Sequence, residues 1–207
     1  MEISITRALN EVQLLEKRIG DKIGSSQFIV SNKKSNKKIN GAFSIDEFNT
    51  NAKSNYDSVT DLIARKKAIK TLIVESNANT KLEVGGITYT VADAIERKKS
   101  IILDRTLLQT IKQQYNRAVT EVNLKNEQME INLDRQLETM LGSDNKKTEG
   151  ADVYAKSYRE QNSFELVDGL KLRDKIISLE EEIDEFLNNV DFCLSESNAL
   201  TKVEIPE

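Results

Sequence analysis

At 207 residues the chain is long enough for one domain or two small ones. Hydrophobic residues make up 38% and charged residues 31%, and Leu, Ile, Val, Glu and Lys recur at helical spacing, which points to long helices more than to a globule. A formal charge of −4 gives no chain-wide attraction to nucleic acid, and the absence of histidine removes the commonest general base near neutral pH, the Ser-His and Cys-His dyads and most zinc sites.

Lysine outnumbers arginine by 21 to 9 and asparagine occurs 18 times, a codon bias that suggests an AT-rich bacterial or phage genome. The single cysteine, Cys193, has no partner for an internal disulfide. Phe192 and Leu194 beside it suggest burial, and Asp191 and Glu196 oppose the positive surroundings of a reactive thiol. No apolar run approaches the roughly 20 residues that cross a bilayer. The opening MEISITRALNEVQLLEKRIG is amphipathic, without the apolar block of a leader. The expectation is a cytoplasmic protein of a bacterial or phage-infected cell, with no membrane contact.

In chain order, residues 4–22 place Ile5, Ala8, Val12, Leu15 and Ile19 at alternating spacings of three and four, an a/d seam that Gly24 ends. Gln27 to Val30 reads as a short strand or a clamp on the helices. Residues 31–43 read as a basic flexible loop with Lys33, Lys34, Lys37 and Lys38. Ser44 and Glu47 have capping-box spacing and start a second helix. Its stripe runs through Ile45, Phe48, Ala52, Val59, Leu62, Ile69 and Ile73 to about Glu75, and Lys66 on the seam suggests a local break or a snorkelling side chain.

Residues 81–90 alternate as a hairpin around Gly85-Gly86, a pair that tolerates positive φ. Thr90, with Asp93, then caps a third helix whose seam is Ile101, Leu108, Ile111, Tyr115, Ala118, Val122, Met129, Leu133, Leu137 and Met140. About 50 residues make a rod of about 75 Å, which must lie along other helices, from this chain or another. Residues 142–168 lack periodicity and read as a loop or partly disordered linker. The last helix, about 169–196, carries Leu172, Ile176, Leu179, Ile183, Phe186, Val190 and Leu194 at near-ideal seam spacing. Its acidic run Glu180–Glu185, with Lys171, Arg173 and Lys175 nearby, reads as a solvated face and not a metal site.

Residues 76–84 (SNANTKLEV) and 197–205 (SNALTKVEI) agree at six of nine positions. Both follow a helix, and the repeat reads as helix stop, turn and short strand. The strand at 202–205 is expected to join the Gly-Gly hairpin as a third strand, within one chain or by exchange with a partner, because an isolated hairpin is marginal in water. The expected fold is mainly α: one elongated domain over 1–207, a long-helix coiled-coil bundle of about four helices with a β-hairpin or small three-stranded sheet.

At these motifs the chain resembles the septicolysin-like family of small helical bacterial and phage proteins. Ala8-Leu9, Glu11, Leu15 and Lys17-Arg18-Ile19 match its opening in kind. Asn77 to Thr80, Gly85-Gly86, Thr90, Ala94 and Arg97 resemble its middle, and Val167-Asp168 with Asn198 to Thr201 its end. The stretch from about Thr120 to Asn162 is longer than the family pattern. The resemblance implies an all-helical oligomeric protein without an established enzymatic role. Pore formation, which the family name suggests, finds no amphipathic hairpin here long enough to span a membrane.

The functional expectation is a non-enzymatic homo-oligomeric assembly or interaction protein without metal or cofactor. Its core and oligomer seam is Leu108, Ile111, Tyr115, Val122, Leu133, Leu137, Leu172, Ile176, Leu179, Ile183, Phe186 and Val190. A second reading is a phage or mobile-element protein that sequesters a host defence factor through loop 31–43 or segment 142–168. A third is a nucleic-acid accessory protein using Lys33, Lys34, Lys37 and Lys38; the acidic total and the lack of interleaved aromatics weigh against it.

Overall fold

The computed structural model describes residues 1–39, 42–141 and 149–205. The fold is mainly helical with short antiparallel strand pairs. Among the described residues it runs β1 (Glu2–Ser4), α1 (Ile5–Ser25), β2 (Lys38–Ile39), β3 (Phe43–Ser44), α2 (Ile45–Asn79), β4 (Lys81–Val84), β5 (Ile87–Thr90), α3 (Val91–Leu141), α4 (Glu149–Asn162), α5 (Leu172–Leu200) and β6 (Lys202–Glu204). The chain divides into two compact units, Met1–Lys99 with Glu185–Glu207, and Ser100–Asp184.

In the first unit the core follows the sequence pattern. Ile5, Ala8, Val12 and Leu15 of α1 are buried against Ile69 and Ile73 of α2, with Ile3 and Ile205 from the strands. Ser4 caps α1 by accepting from the Arg7 N–H at 3.3 Å. The capping box at α2 is complete: the Glu47 N–H donates to Ser44 Oγ at 3.1 Å, and the Ser44 N–H to Glu47 Oε2 at 2.8 Å. Lys66 turns from the seam to Glu16, 2.7 Å away.

Four expectations change. Gly24 lies within α1, which ends at an extended Ser26 (φ −90°, ψ 139°) and not at a left-handed glycine. Residues 27–30 form no strand; of the two readings the clamp is the one with a contact, the Phe28 ring meeting Tyr56 of α2 edge-on at 6.4 Å. The basic loop 31–43 contains a small strand pair, with Lys38 opposite Ser44 and Ile39 opposite Phe43. The third-strand assignment is also overturned: β4 pairs with β5 alone, while β6 pairs antiparallel with β1, Glu204 opposite Glu2 and Lys202 opposite Ser4. The support that the Gly-Gly hairpin lacks in isolation comes from helices and not from an added strand.

In the second unit α3 continues as one uninterrupted helix, 51 residues in all. The linker expected over 142–168 contains α4, a 14-residue helix, so the described helices number five, not about four. Its contact face is Ala151, Tyr154, Ala155 and Tyr158, packed on Leu133 and Leu137. Alanine and tyrosine carry little hydrophobic signal, which is why periodicity did not mark this helix. Residues 142–148 of that linker lie outside the described residues. The last helix begins at Leu172, after residues 163–171, and continues four residues beyond the expected end.

Candidate interaction surface

The twelve seam residues divide into two sets. Leu133, Leu137, Ile176, Ile183, Phe186 and Val190 are buried, and Leu133 and Leu137 are covered by α4 of the same chain. Leu108, Ile111, Tyr115, Val122, Leu172 and Leu179 are half-buried. The rod therefore needs no second subunit at its α4-covered end, because its own chain lies along it there. Its middle, from Leu108 to Val122, is only partly covered.

Within the second unit this middle borders a groove of about 390 Å³ lined by Tyr115, Ala118, Val122, Phe164, Val167 and Leu172. The loop across it, 163–171, is held by specific polar contacts. The Asn126 side-chain amide donates to the Phe164 carbonyl at 2.8 Å, and the Phe164 N–H donates to Asn126 Oδ1 at 2.7 Å. Lys125 Nζ stands 5.0 Å from the centre of the Phe164 ring, within the range of a cation–π contact. Asp168 ends the loop by accepting from the N–H of Leu170 at 3.1 Å and of Leu172 at 2.7 Å, which caps α5. Lys171 sits at φ 54°, the left-handed region, just before the helix.

The pinned loop turns apolar side chains outward. Val167 is 96% exposed, Leu170 68% and Phe164 45%. On α3, Leu103, Leu107 and Leu124 are also exposed. The groove rim carries both signs of charge: Glu121 and Lys125, paired at 2.6 Å, with Glu165 and Asp168. The Lys125 hydrogen bond holds the Glu121 carboxyl below its ordinary range, and its charge adds to the effect. Farther along α3, the Arg159 fork on Glu130 (2.7 and 2.8 Å) does the same to the Glu130 carboxyl. The Arg159 pair ties α4 to the rod, whereas the Glu121 pair lies along α3 itself.

Lys33, Lys34, Lys37 and Lys38 are all exposed in the first unit, along a turn that the Asn36 N–H closes onto the Lys33 carbonyl at 2.8 Å. They share one loop, anchored by buried Ile39. The Phe164–Asn126 clamp was not legible in the sequence. It joins residues 38 apart in the chain, through one asparagine with no local pattern around it. Among the described residues no helix is long and apolar enough to cross a membrane, and no cluster of three His, Cys, Asp or Glu side chains could hold a metal ion. Comparison with known protein families, with curated proteins and with solved structures gives no match to this chain.

Proposed function

We propose that the chain is a non-enzymatic protein-interaction or assembly component, of bacterial or phage origin, that associates with copies of itself through the half-covered middle of α3 and the loop 163–171. The observation that carries this reading is Val167, 96% exposed on a loop whose backbone is clamped by Asn126 and Asp168. A loose loop can turn an apolar side chain inward at little cost; a clamped one keeps it in water, where burial against a partner is favourable. A rim with both charge signs suits a twofold contact, in which each acid faces the other copy's base. The septicolysin-like resemblance, which implies an oligomer, belongs to the same proposal.

Light scattering coupled to size exclusion tests it. The expected mass at micromolar concentration exceeds the 23.4 kDa of one chain, and Val167→Glu returns it towards that value without loss of helicity. A wild-type mass of one chain across the accessible concentrations defeats the proposal.

A second reading has its own observation. Ile29, 85% exposed, and Phe43, 56% exposed, flank the four lysines of the basic loop. Together they make a mixed apolar and basic surface that suits an acidic host protein better than a second acidic copy. Retention of such a protein by the wild type, and its loss on Ile29→Asp, distinguishes this reading from self-association.

A further inference from the structure

The two copies of the Asn-x-x-Thr segment occupy matching places in the fold. Thr80 ends α2, its N–H donating to the Ser76 carbonyl at 2.8 Å; Thr201 ends α5, its N–H donating to the Ser197 carbonyl at 2.9 Å. The Thr80 carbonyl accepts from Val91, the first residue of α3, at 2.9 Å. The Thr201 carbonyl accepts from Ile5, the first residue of α1, also at 2.9 Å. The strand registers agree: Lys81 lies opposite Thr90 and Leu82 opposite Tyr89, as Lys202 lies opposite Ser4 and Val203 opposite Ile3. Ser4 and Thr90 then cap the helices that follow, each accepting from the N–H three residues on.

Burial follows the same correspondence. Ile5 and Val91 are buried, as are Val84 and Ile205, and Ala8, Ala94, Ile69 and Val190 are each 0% exposed. Even an interhelix contact is reproduced in position though not in chemistry. Arg65 of α2 makes a forked ion pair to Glu11 of α1, at 2.8 and 3.0 Å. At the matching positions Phe186 of α5 meets Arg97 of α3, whose guanidinium stands 5.4 Å from the ring centre.

We infer that the chain is two tandem copies of one strand–helix–helix–strand unit, about 1–84 and 87–205, that complete each other by reciprocal strand exchange. The last strand of the first copy (β4) pairs with the first strand of the second (β5), and the last strand of the second (β6) pairs with the first strand of the first (β1). The second copy carries α4 as an insertion between its two long helices. The first copy does not have a whole core alone: the cluster under α1 and α2 includes Ile205 of the other copy. The interaction surface of each unit is a strand edge with a helix pair beneath it, and the partner it fits is a second unit of the same kind. In this chain that partner is supplied in cis. The inference is independent of the self-association surface on the other compact unit.

Two experiments on the full chain test it. The first places a specific protease site between Gly85 and Gly86, at a turn where a Cβ on Gly86 meets nothing within 4 Å. After cleavage of the folded protein the two fragments are expected to co-elute and to melt in one transition. Separation in native buffer overturns the exchange. The second trades the two echo segments through Asn79→Leu, Leu82→Val and Val84→Ile together with Leu200→Asn, Val203→Leu and Ile205→Val. Equivalent sites predict a cooperative melt shifted by less than about 4 °C, the scale of one small packing change in a chain of this size. Loss of the cooperative melt overturns the equivalence.

Discussion

Gly85 and Gly86 show how much one residue can be asked to do. Both have positive φ, 58° and 74°, as a primed two-residue turn requires. The backbone penalty for a side chain in that region is about 1–2 kcal/mol. A Cβ on Gly86 meets open space, whereas one on Gly85 lies 2.8 Å from Glu185 Cγ. Gly85→Ala is therefore expected to lower the melting temperature more than Gly86→Ala. The excess should vanish when both are measured with Glu185→Ala, and an excess that survives it removes the contact from the explanation. Glu47 gives a pH test. The Ser44 N–H, then the Ser44 hydroxyl, hold its carboxyl below the ordinary 4.5. A depressed folded pKa means stabilisation that is full above 4.5 and lost as pH falls through the folded value. Glu47→Gln should thus melt below the wild type at neutral pH and converge with it in acid. A gap that is constant with pH means that the charge contributes nothing.

At the scale of elements, legibility depended on how much apolar contrast each face carried. The α1 seam was readable because Ile5, Ala8, Val12, Leu15 and Ile19 stand out from the charged residues between them, and the same five positions pack in the structure. The capping pairs Ser44–Glu47 and Thr90–Asp93 were readable because their spacing is local chemistry: the first makes the full reciprocal box, and in the second Thr90 accepts from the Asp93 N–H while its hydroxyl donates to the Asp93 carboxylate. What stayed hidden was non-local or chemically quiet. The β1–β6 pair joins residues about 200 apart along the chain, and a three-residue strand has no period to detect. The buried face of α4 is small residues and tyrosines. The interaction groove depends on one asparagine clamping a backbone 38 residues away. The last helix supplies a direct test of its seam. Ile183 is 2% exposed, and an unpaired carboxylate there costs several kcal/mol. Ile183→Asp is expected to unfold the chain or lower its melting temperature by more than 10 °C, about 3 kcal/mol or more. An unchanged melt places that residue outside the core.

At the scale of the whole molecule, the apolar surface falls into two classes with different consequences. Residues such as Leu133, Ile183 and Val190 are covered within one chain, so their burial stabilises a subunit at any concentration. Among the described residues Val167 and Leu170 stay largely exposed, and that exposed surface gains only if a partner arrives. Anything that binds the native state and not the unfolded one raises apparent stability with its concentration. If the partner is another copy, the melting temperature should climb as the protein is concentrated, and calorimetry over a concentration series reads this directly. Val167→Glu removes the gain without touching a buried contact, so its melting temperature should be flat with concentration and equal to the dilute wild-type value. A wild-type curve that is equally flat separates the fold from the proposed use of its surface: the helices and exchanged strands stand, and self-association through the loop does not.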